Sequence, residues 1–217
     1  NKEWSELNKT MQAQIKKKDT YKMGIDTLFN LRRQLMQTLV SFKEDLCRED
    51  FNAIPFINAD GYHSKTIAYS IWHIFRIEDI VAHTVITEDE QVFFTGNYQV
   101  RINSPIITTG NELVKQQIAD FSKQLNLEEL YSYIFEVRES TEKILERFSY
   151  DELKWKIPDE RKGYLKSLNV VNCDEKAIWL IDYWCSKDIR GLIQMPFSRH
   201  WIMHTEACLR IKNKMHS

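Results

Sequence analysis

The stretch Ile71-Trp-His-Ile-Phe-Arg-Ile-Glu-Asp-Ile80 sets the fold class of this chain, because its apolar residues recur at the spacing of a helix and not of a strand. At 3.6 residues per turn, one arc of a helical projection, with His73 at its edge, contains Ile67, Ile71, Ile74, Ile77, Val81 and Val85. The pattern predicts an amphipathic helix over about residues 64–86, with Ser64 or Asp60 as its N-cap.

The rest of the chain follows the same period. Six glycines and four prolines in 217 residues are few turn-forming residues for a many-stranded sheet. We therefore predict an all-α protein whose single domain spans residues 1–217. Further helices are predicted over about residues 20–45, 111–124, 126–148 and 174–184, and from Ser198, as N-cap, to about 214. Asn126, followed by Glu129 in the pattern of a capping box, and Asp174 are predicted as N-caps.

Bulk properties exclude several functional classes. The formal net charge of −1 supplies no general attraction to phosphate backbones or anionic membranes, so nucleic-acid and membrane partners are not expected. No apolar run approaches the length of a membrane span. Cys47, Cys173, Cys185 and Cys208 show no CxxC spacing, so we interpret them as reduced thiols and expect a cytoplasmic protein that acts on a small-molecule substrate.

The late segment Met195-Pro-Phe-Ser-Arg-His-Trp-Ile-Met-His-Thr-Glu-Ala207 carries two histidines four residues apart. Four residues of helix turn about 400°, so His200 and His204 share one face and can chelate a divalent metal. With Ser198 as the N-cap, His200 lies in the first turn, where the helix dipole favours the neutral, ligating imidazole. Among six histidines such a pair arises by chance in about one chain in five, so the motif is weak alone.

His73, far upstream in another helical segment, is a candidate third ligand. Three histidines without a fourth protein ligand leave a coordination position open, which is typical of a reactive metal site and not of a structural one. Cys208, one turn beyond His204, is the alternative fourth ligand, although a buried apolar-like thiol is the commoner role. His63, His83 and His216 are expected to lie outside the site.

Several polar and aromatic residues have open roles. Glu78 falls among isoleucines, which favours a buried salt bridge to an arginine of a neighbouring helix over a catalytic role. Glu78, Asp79 and Arg199 are also candidates for fixing the tautomers of the histidines. Three aromatics at helical spacing are more typical of core, with a pocket wall as the alternative: Trp179, Tyr183 and Trp184.

The run Tyr69-Ser-Ile-Trp-His-Ile-Phe-Arg-Ile-Glu-Asp-Ile80, taken together with the segment 195–207, resembles the DinB-like superfamily. That group includes bacillithiol transferases and mycothiol-dependent maleylpyruvate isomerases and is distinct from the DNA polymerase of the same name. The resemblance covers most of the chain in helix order, and its two motifs are moderately specific as a pair. The stretch around 150–185 is longer than in compact relatives, and no residues match a thiol-cofactor motif.

The resemblance implies an up-down-down-up four-helix bundle, here with extra short helices, and a divalent metal bound by His73, His200 and His204. Zinc or nickel is expected, with a low-molecular-weight thiol as cosubstrate. The implied activity is that of a metal-dependent thiol S-transferase or hydrolase acting on small electrophiles. The alternative is a non-catalytic, stress-associated helical binding protein with a structural or vestigial metal site. Dimerisation through helix faces is compatible with both.

Overall fold

The computed structural model describes residues 1–217 and contains helices without a β-strand, which confirms the predicted all-α class. Two short 3₁₀ segments (Gly61–His63 and Asp151–Lys154) and two π-helical segments (Ile80–Thr87 and Met195–Arg199) interrupt or extend the α-helices. The α-helices in chain order are α1 (Lys2–Ile15), α2 (Tyr21–Asp45), α3 (Arg48–Asn52), α4 (Ile67–Asp79), α5 (Val92–Thr95), α6 (Tyr98–Ile102), α7 (Gln116–Gln124), α8 (Leu127–Arg147), α9 (Glu160–Ser167), α10 (Glu175–Cys185), α11 (Ile189–Gln194) and α12 (His200–Met215).

The helices α2, α4, α8 and α12 pack around one another as a closed ring. Helix α4 contacts α8 and α12, and α2 contacts the same two helices from the other side. This arrangement is compatible with the predicted four-helix bundle, whose up-down-down-up order stays a prediction. Helix α1 packs along α2. None of the helices is long and apolar enough to cross a lipid bilayer.

Helix α4 is buried along its whole length and not only on one face. Every residue from Ile67 to Asp79 is shielded from solvent, so the burial of α4 extends beyond the apolar arc that the sequence predicts. The polar residues of α4 are tolerated because neighbouring elements supply partners for most of them, as buried polar groups require. The helix therefore forms the centre of the molecule, and its polar side chains point at other elements.

Three predicted helix starts move in the structure. Helix α4 is capped by Thr66, whose Oγ1 accepts a hydrogen bond from the Tyr69 N–H at 3.0 Å, because residues 61–63 form a 3₁₀ turn instead. Helix α7 begins at Gln116 and not near residue 111. Ser198 is not an N-cap, because it lies inside the π-helical segment that runs directly into α12 and donates its hydroxyl to the Ile193 carbonyl.

Candidate metal centre

The structure brings His73 together with His200 and His204, which lie more than a hundred residues later in the sequence. His73 lies on α4, and His200 and His204 occupy successive turns of α12. Their ring centroids are 5.0 Å (73 to 200), 4.8 Å (73 to 204) and 4.5 Å (200 to 204) apart. All three are buried, and each offers a ligand nitrogen within 4.8 Å of those of the other two. The group contains no cysteine or carboxylate.

The tautomer of His73 is set by a backbone carbonyl. Its Nδ1 lies 2.7 Å from the carbonyl oxygen of Thr109. A carbonyl oxygen only accepts, so Nδ1 must carry the hydrogen and Nε2 must keep its lone pair. This is the orientation in which a histidine ligates through Nε2 while its other nitrogen is anchored.

The carbonyl that anchors His73 belongs to a loop held along one face of α4. Tyr69, His73 and Arg76, about one turn apart, each donate to a carbonyl of this loop. The acceptors are Gly110 at 2.8 Å, Thr109 at 2.7 Å and Ile107 at 2.6 Å, respectively. We call residues 107–110 the anchor loop. Because α4 fixes it at three points, the loop holds the His73 ring in one orientation.

Burial makes the three imidazoles neutral. Desolvation lowers the pKa of His73 to about 4, despite the opposing hydrogen bond to Thr109. Desolvation also lowers the pKa of His200 and His204 well below the ordinary value, and the neighbouring histidines add to the effect. The neutral, ligating form of the imidazoles therefore follows from burial. The predicted effect of a helix N-terminus on His200 does not apply, because α12 continues from a π-helical turn.

Two nitrogens of the cluster lack a protein partner. The Nδ1 atoms of His200 and His204 are buried and make no hydrogen bond. Unpaired buried polar atoms are costly, and in native proteins they call for a specific explanation. Three neutral imidazoles with free lone pairs fit a borderline divalent ion such as zinc or nickel.

A cavity of about 510 Å³ ends at the histidines. All three histidines line it, together with side chains from the 3₁₀ turn 61–63, from α10 and from the segment after the anchor loop. This volume lies in the range of small-molecule binding sites. The cluster is therefore accessible to a ligand and is not sealed inside the bundle.

The three polar residues proposed to orient the histidines do other work. The Glu78 carboxylate is paired with Arg32 of α2 at 2.6 and 3.0 Å, which confirms the predicted buried salt bridge. Asp79 accepts the backbone N–H groups of Val92 and Phe93 and so fixes the start of α5. Arg199 is exposed. None of them has a hydrogen bond to the cluster. The Thr109 carbonyl orients His73, and no protein group orients His200 or His204 through Nδ1.

Cys208 is buried on α12, but its sulfur is not part of the ligand group. Burial raises the pKa of this thiol to about 12, so it stays protonated and behaves as an apolar side chain. The alternative of a fourth cysteine ligand is not supported by this geometry.

The aromatic residues of α10 form a wall of the cavity. Trp179, Tyr183 and Trp184 all line it, and the Trp179 side chain is half exposed, so the pocket alternative is the correct one for that residue. Trp184 belongs to the core as well, with 1% of its surface exposed. The spacing in the sequence identified the aromatic face of α10, but it did not reveal that this face borders the cavity.

The other histidines lie outside the cluster. His83 is held between Asp89, 2.6 Å from its Nδ1, and Ser140, 2.7 Å from its Nε2. Asp89, His83 and Ser140 are thus linked in the order of a catalytic triad, but neither His83 nor Ser140 lines the cavity. Ser140 lies inside α8, whose backbone N–H groups are used within the helix, so no backbone donors are free to stabilise an oxyanion in acyl transfer. His63 lies in the 3₁₀ turn, and His216 contacts Asp50 near the C-terminus.

Sequence reasoning missed the residues that position the centre. Thr109 contributes a carbonyl, which any residue type supplies, so no sequence signal identifies it. The only signal at Gly110 was the residue type itself, since glycine tolerates a positive φ. In the structure Gly110 has φ +80°, and a Cβ there would lie 2.9 Å from the Tyr69 ring. Lys65, which lines the cavity, lies directly before the helix cap Thr66, and its position in the sequence pattern indicates no role.

Comparison with known proteins found no matching protein-family model and no matching curated protein. The resemblance to the DinB-like superfamily therefore rests on the two motifs of this chain, around His73 and around the pair His200 and His204.

Proposed function

We propose that this chain is a divalent-metal-binding protein of the DinB-like type that acts as a thiol S-transferase or hydrolase on small electrophiles. The observation that carries the proposal is the convergence of three neutral histidines at the end of an open cavity. A structural metal site is closed by a fourth protein ligand, whereas a catalytic one keeps a position free. All three histidines line the cavity, and no fourth protein ligand belongs to the cluster.

His73, His200 and His204 would hold the ion, with zinc or nickel as the expected metals. When bound, the ion supplies Lewis acidity and lowers the pKa of a water or thiol at its free position. The chain keeps His73 in the ligating tautomer through the anchor loop and keeps all three rings neutral by burying them. The histidines are therefore ligands in this proposal and not general bases.

The chain also supplies the environment of the reaction. The walls of α10 and the apolar side chains of Met195, Pro196 and Met203 exclude water from the electrophile. In thiol transfer, the thiolate sulfur forms a bond to the electrophilic carbon, and the leaving group departs with its bonding electrons. In hydrolysis, a water oxygen takes the place of the sulfur and its protons pass to solvent.

The non-catalytic alternative predicts a different site. A structural or vestigial centre would be closed, or would include an added cysteine or carboxylate. Cys208 stands outside the ligand group and the nearby acid Glu78 is taken by Arg32, so the observations favour the reactive centre.

The first test is elemental analysis of the untagged protein, as isolated and after incubation with zinc or nickel followed by desalting. We expect close to one metal per chain, and a folded His200→Ala/His204→Ala variant without metal. His63→Ala is the matched control, because it removes a histidine near the cavity that is not in the cluster. A parent protein that takes up no metal would contradict the proposal.

Activity is then measured on the metal-loaded protein with cysteine and 1-chloro-2,4-dinitrobenzene, in which a C–S bond forms and chloride leaves, and with 4-nitrophenyl acetate for hydrolysis. We expect turnover of one of them by the parent and the control variant, lost in the double variant and in the chelated parent. Metal uptake without turnover of either electrophile would favour the non-catalytic alternative.

A further inference from the structure

Lys65 places a positive charge in the cavity without an acidic side chain to balance it. It lies between the 3₁₀ turn and the cap of α4, lines the cavity and is partly buried. Its Nζ makes no ion pair or hydrogen bond and lies 5.4 Å from the centroid of the Tyr69 ring. The Tyr69 ring is in turn stacked on His73, with their centroids 5.4 Å apart, so the ammonium lies close to the histidine cluster.

The electrostatics of the cavity favour an anion. Lys65 and Lys176 line it, and no aspartate or glutamate does. Lys176 lies 3.6 Å from the carboxylate of Asp174 and is exposed, so its charge is largely balanced. Glu112 lies beyond the lining, where one carboxylate oxygen accepts from Thr108. A partly desolvated ammonium without a counter-charge is costly, and a ligand anion would remove that cost.

The part of the cavity lining that α10 contributes suits a flat apolar body. Trp179 and Tyr183 meet edge to face with centroids 5.5 Å apart, and both line the cavity. A half-exposed tryptophan next to a tyrosine offers an aromatic surface on which a ligand ring can pack. The cavity thus has an aromatic side on α10 and a cationic position next to the cluster.

We propose that the cavity binds a small aromatic carboxylate, whose carboxylate pairs with Lys65 and whose ring packs on Trp179 and Tyr183. The one unbalanced charge that the chain itself contributes matches a monoanion. A metal ion at the histidines would add positive charge, so the carboxylate and the phosphate are compared in the metal-free cavity. The inference rests on the proposed function, because the bound molecule would then present its reacting atom to the histidine centre.

The experiment is isothermal titration calorimetry of the zinc-loaded protein with 2-naphthoate, neutral 2-naphthamide and 2-naphthyl phosphate. We expect naphthoate to bind about tenfold more tightly than naphthamide and, with chelator present, more tightly than the phosphate. Lys65→Met is expected to remove the preference for naphthoate and to leave the naphthamide affinity within about twofold. Lys123→Met, on the exposed face of α7, is the matched control and should change neither.

A zinc content equal to that of the parent shows that Lys65→Met leaves the centre intact. Equal binding of naphthoate and naphthamide by the parent, or an unchanged preference in Lys65→Met, would overturn the inference. Tighter binding of the phosphate would overturn the choice of a carboxylate.

Repeating the titration with chelator separates the two proposals. A naphthoate preference that persists without metal and depends on Lys65 supports the inference even if metal uptake fails. A preference that disappears with chelator while Lys65→Met has no effect assigns the anion to the metal and contradicts the role of Lys65.

Discussion

The protonation states of a few buried side chains determine what the centre can bind. His73, His200 and His204 are neutral because desolvation penalises the imidazolium, and Lys65 supplies the positive charge that the ring nitrogens do not. The lone pairs of neutral imidazoles can bind a metal cation, and the ammonium beside them can bind an anion. The individual residue types were readable from the sequence, but their protonation states follow from burial.

The lowered pKa values predict how stability depends on pH. A histidine whose pKa is lower in the folded than in the unfolded state stabilises the fold above about pH 6.5, and this contribution is lost as the pH falls towards the folded pKa. The metal-free protein should therefore lose about 1.4 kcal/mol per pH unit for each such histidine between about pH 6 and pH 5. Urea unfolding with chelator at pH 7, 6 and 5 measures the slope.

His200→Asn/His204→Asn should flatten that slope by about 2–3 kcal/mol per pH unit. His63→Asn serves as the control, since it removes a partly exposed histidine, and should leave the slope close to that of the parent. Parallel slopes in the parent and the double variant would show that the cluster is not desolvated as the structure has it.

At the scale of elements, the centre depends on how α4 holds the anchor loop and on how α12 begins. Both histidine-bearing helices are continuous with π-helical segments, at Ile80–Thr87 and Met195–Arg199. Such turns shift the register of a helix face and are frequent at functional sites. Caps with a local side-chain signal, at Asn126 and Asp174, were predicted correctly. The Glu129 carboxylate pairs with Arg101 and does not complete a capping box.

Gly110→Ala tests the link between the anchor loop and the centre. The new Cβ would lie 2.9 Å from the Tyr69 ring at a positive φ, so the loop must shift and the Thr109 carbonyl with it. We expect zinc affinity to fall by about tenfold or more, as for the loss of a group that orients a ligating histidine. Competition with a chromophoric chelator measures the affinity.

Gly61→Ala is the matched control, because Gly61 also has a positive φ, of 62°, but a Cβ there has no neighbour within 4 Å. Both variants should lose about 1 kcal/mol of stability to backbone strain, and only Gly110→Ala should lose metal affinity. Equal zinc affinity in the two variants would separate the loop from the centre.

At the scale of the whole molecule, one buried network joins the four helices of the ring. Arg32 of α2 pairs with Glu78 of α4 and with Glu142 of α8 at 3.1 Å. Trp201 of α12 donates its indole N–H to Glu78 at 3.0 Å, and its ring lies under the guanidinium. Burial raises the pKa of Glu78, and the paired Arg32 opposes this, so the carboxylate depends on its partner.

Arg32→Met should therefore destabilise the protein by about 3–5 kcal/mol, because it leaves Glu78 buried without a counter-charge. Arg32→Met/Glu78→Gln should recover part of that loss, and chemical unfolding of the single and double variants gives the coupling. Arg33→Met, its exposed neighbour on α2, is the control and should stay within about 0.5 kcal/mol of the parent. A double variant no more stable than the single one would contradict this account.

The sequence by itself determined the helical class, the pairing of His200 with His204, the candidate third ligand and the need of Glu78 for an arginine. These follow from local periodicity and from the cost of burying charge, which do not depend on the remote chain. The tertiary structure alone decided that His73 meets the pair, that the Thr109 carbonyl orients it, and that Lys65 and α10 complete a cavity. Those contacts join residues far apart in sequence, and a backbone carbonyl or a glycine turn carries no side-chain pattern by which spacing could reveal it.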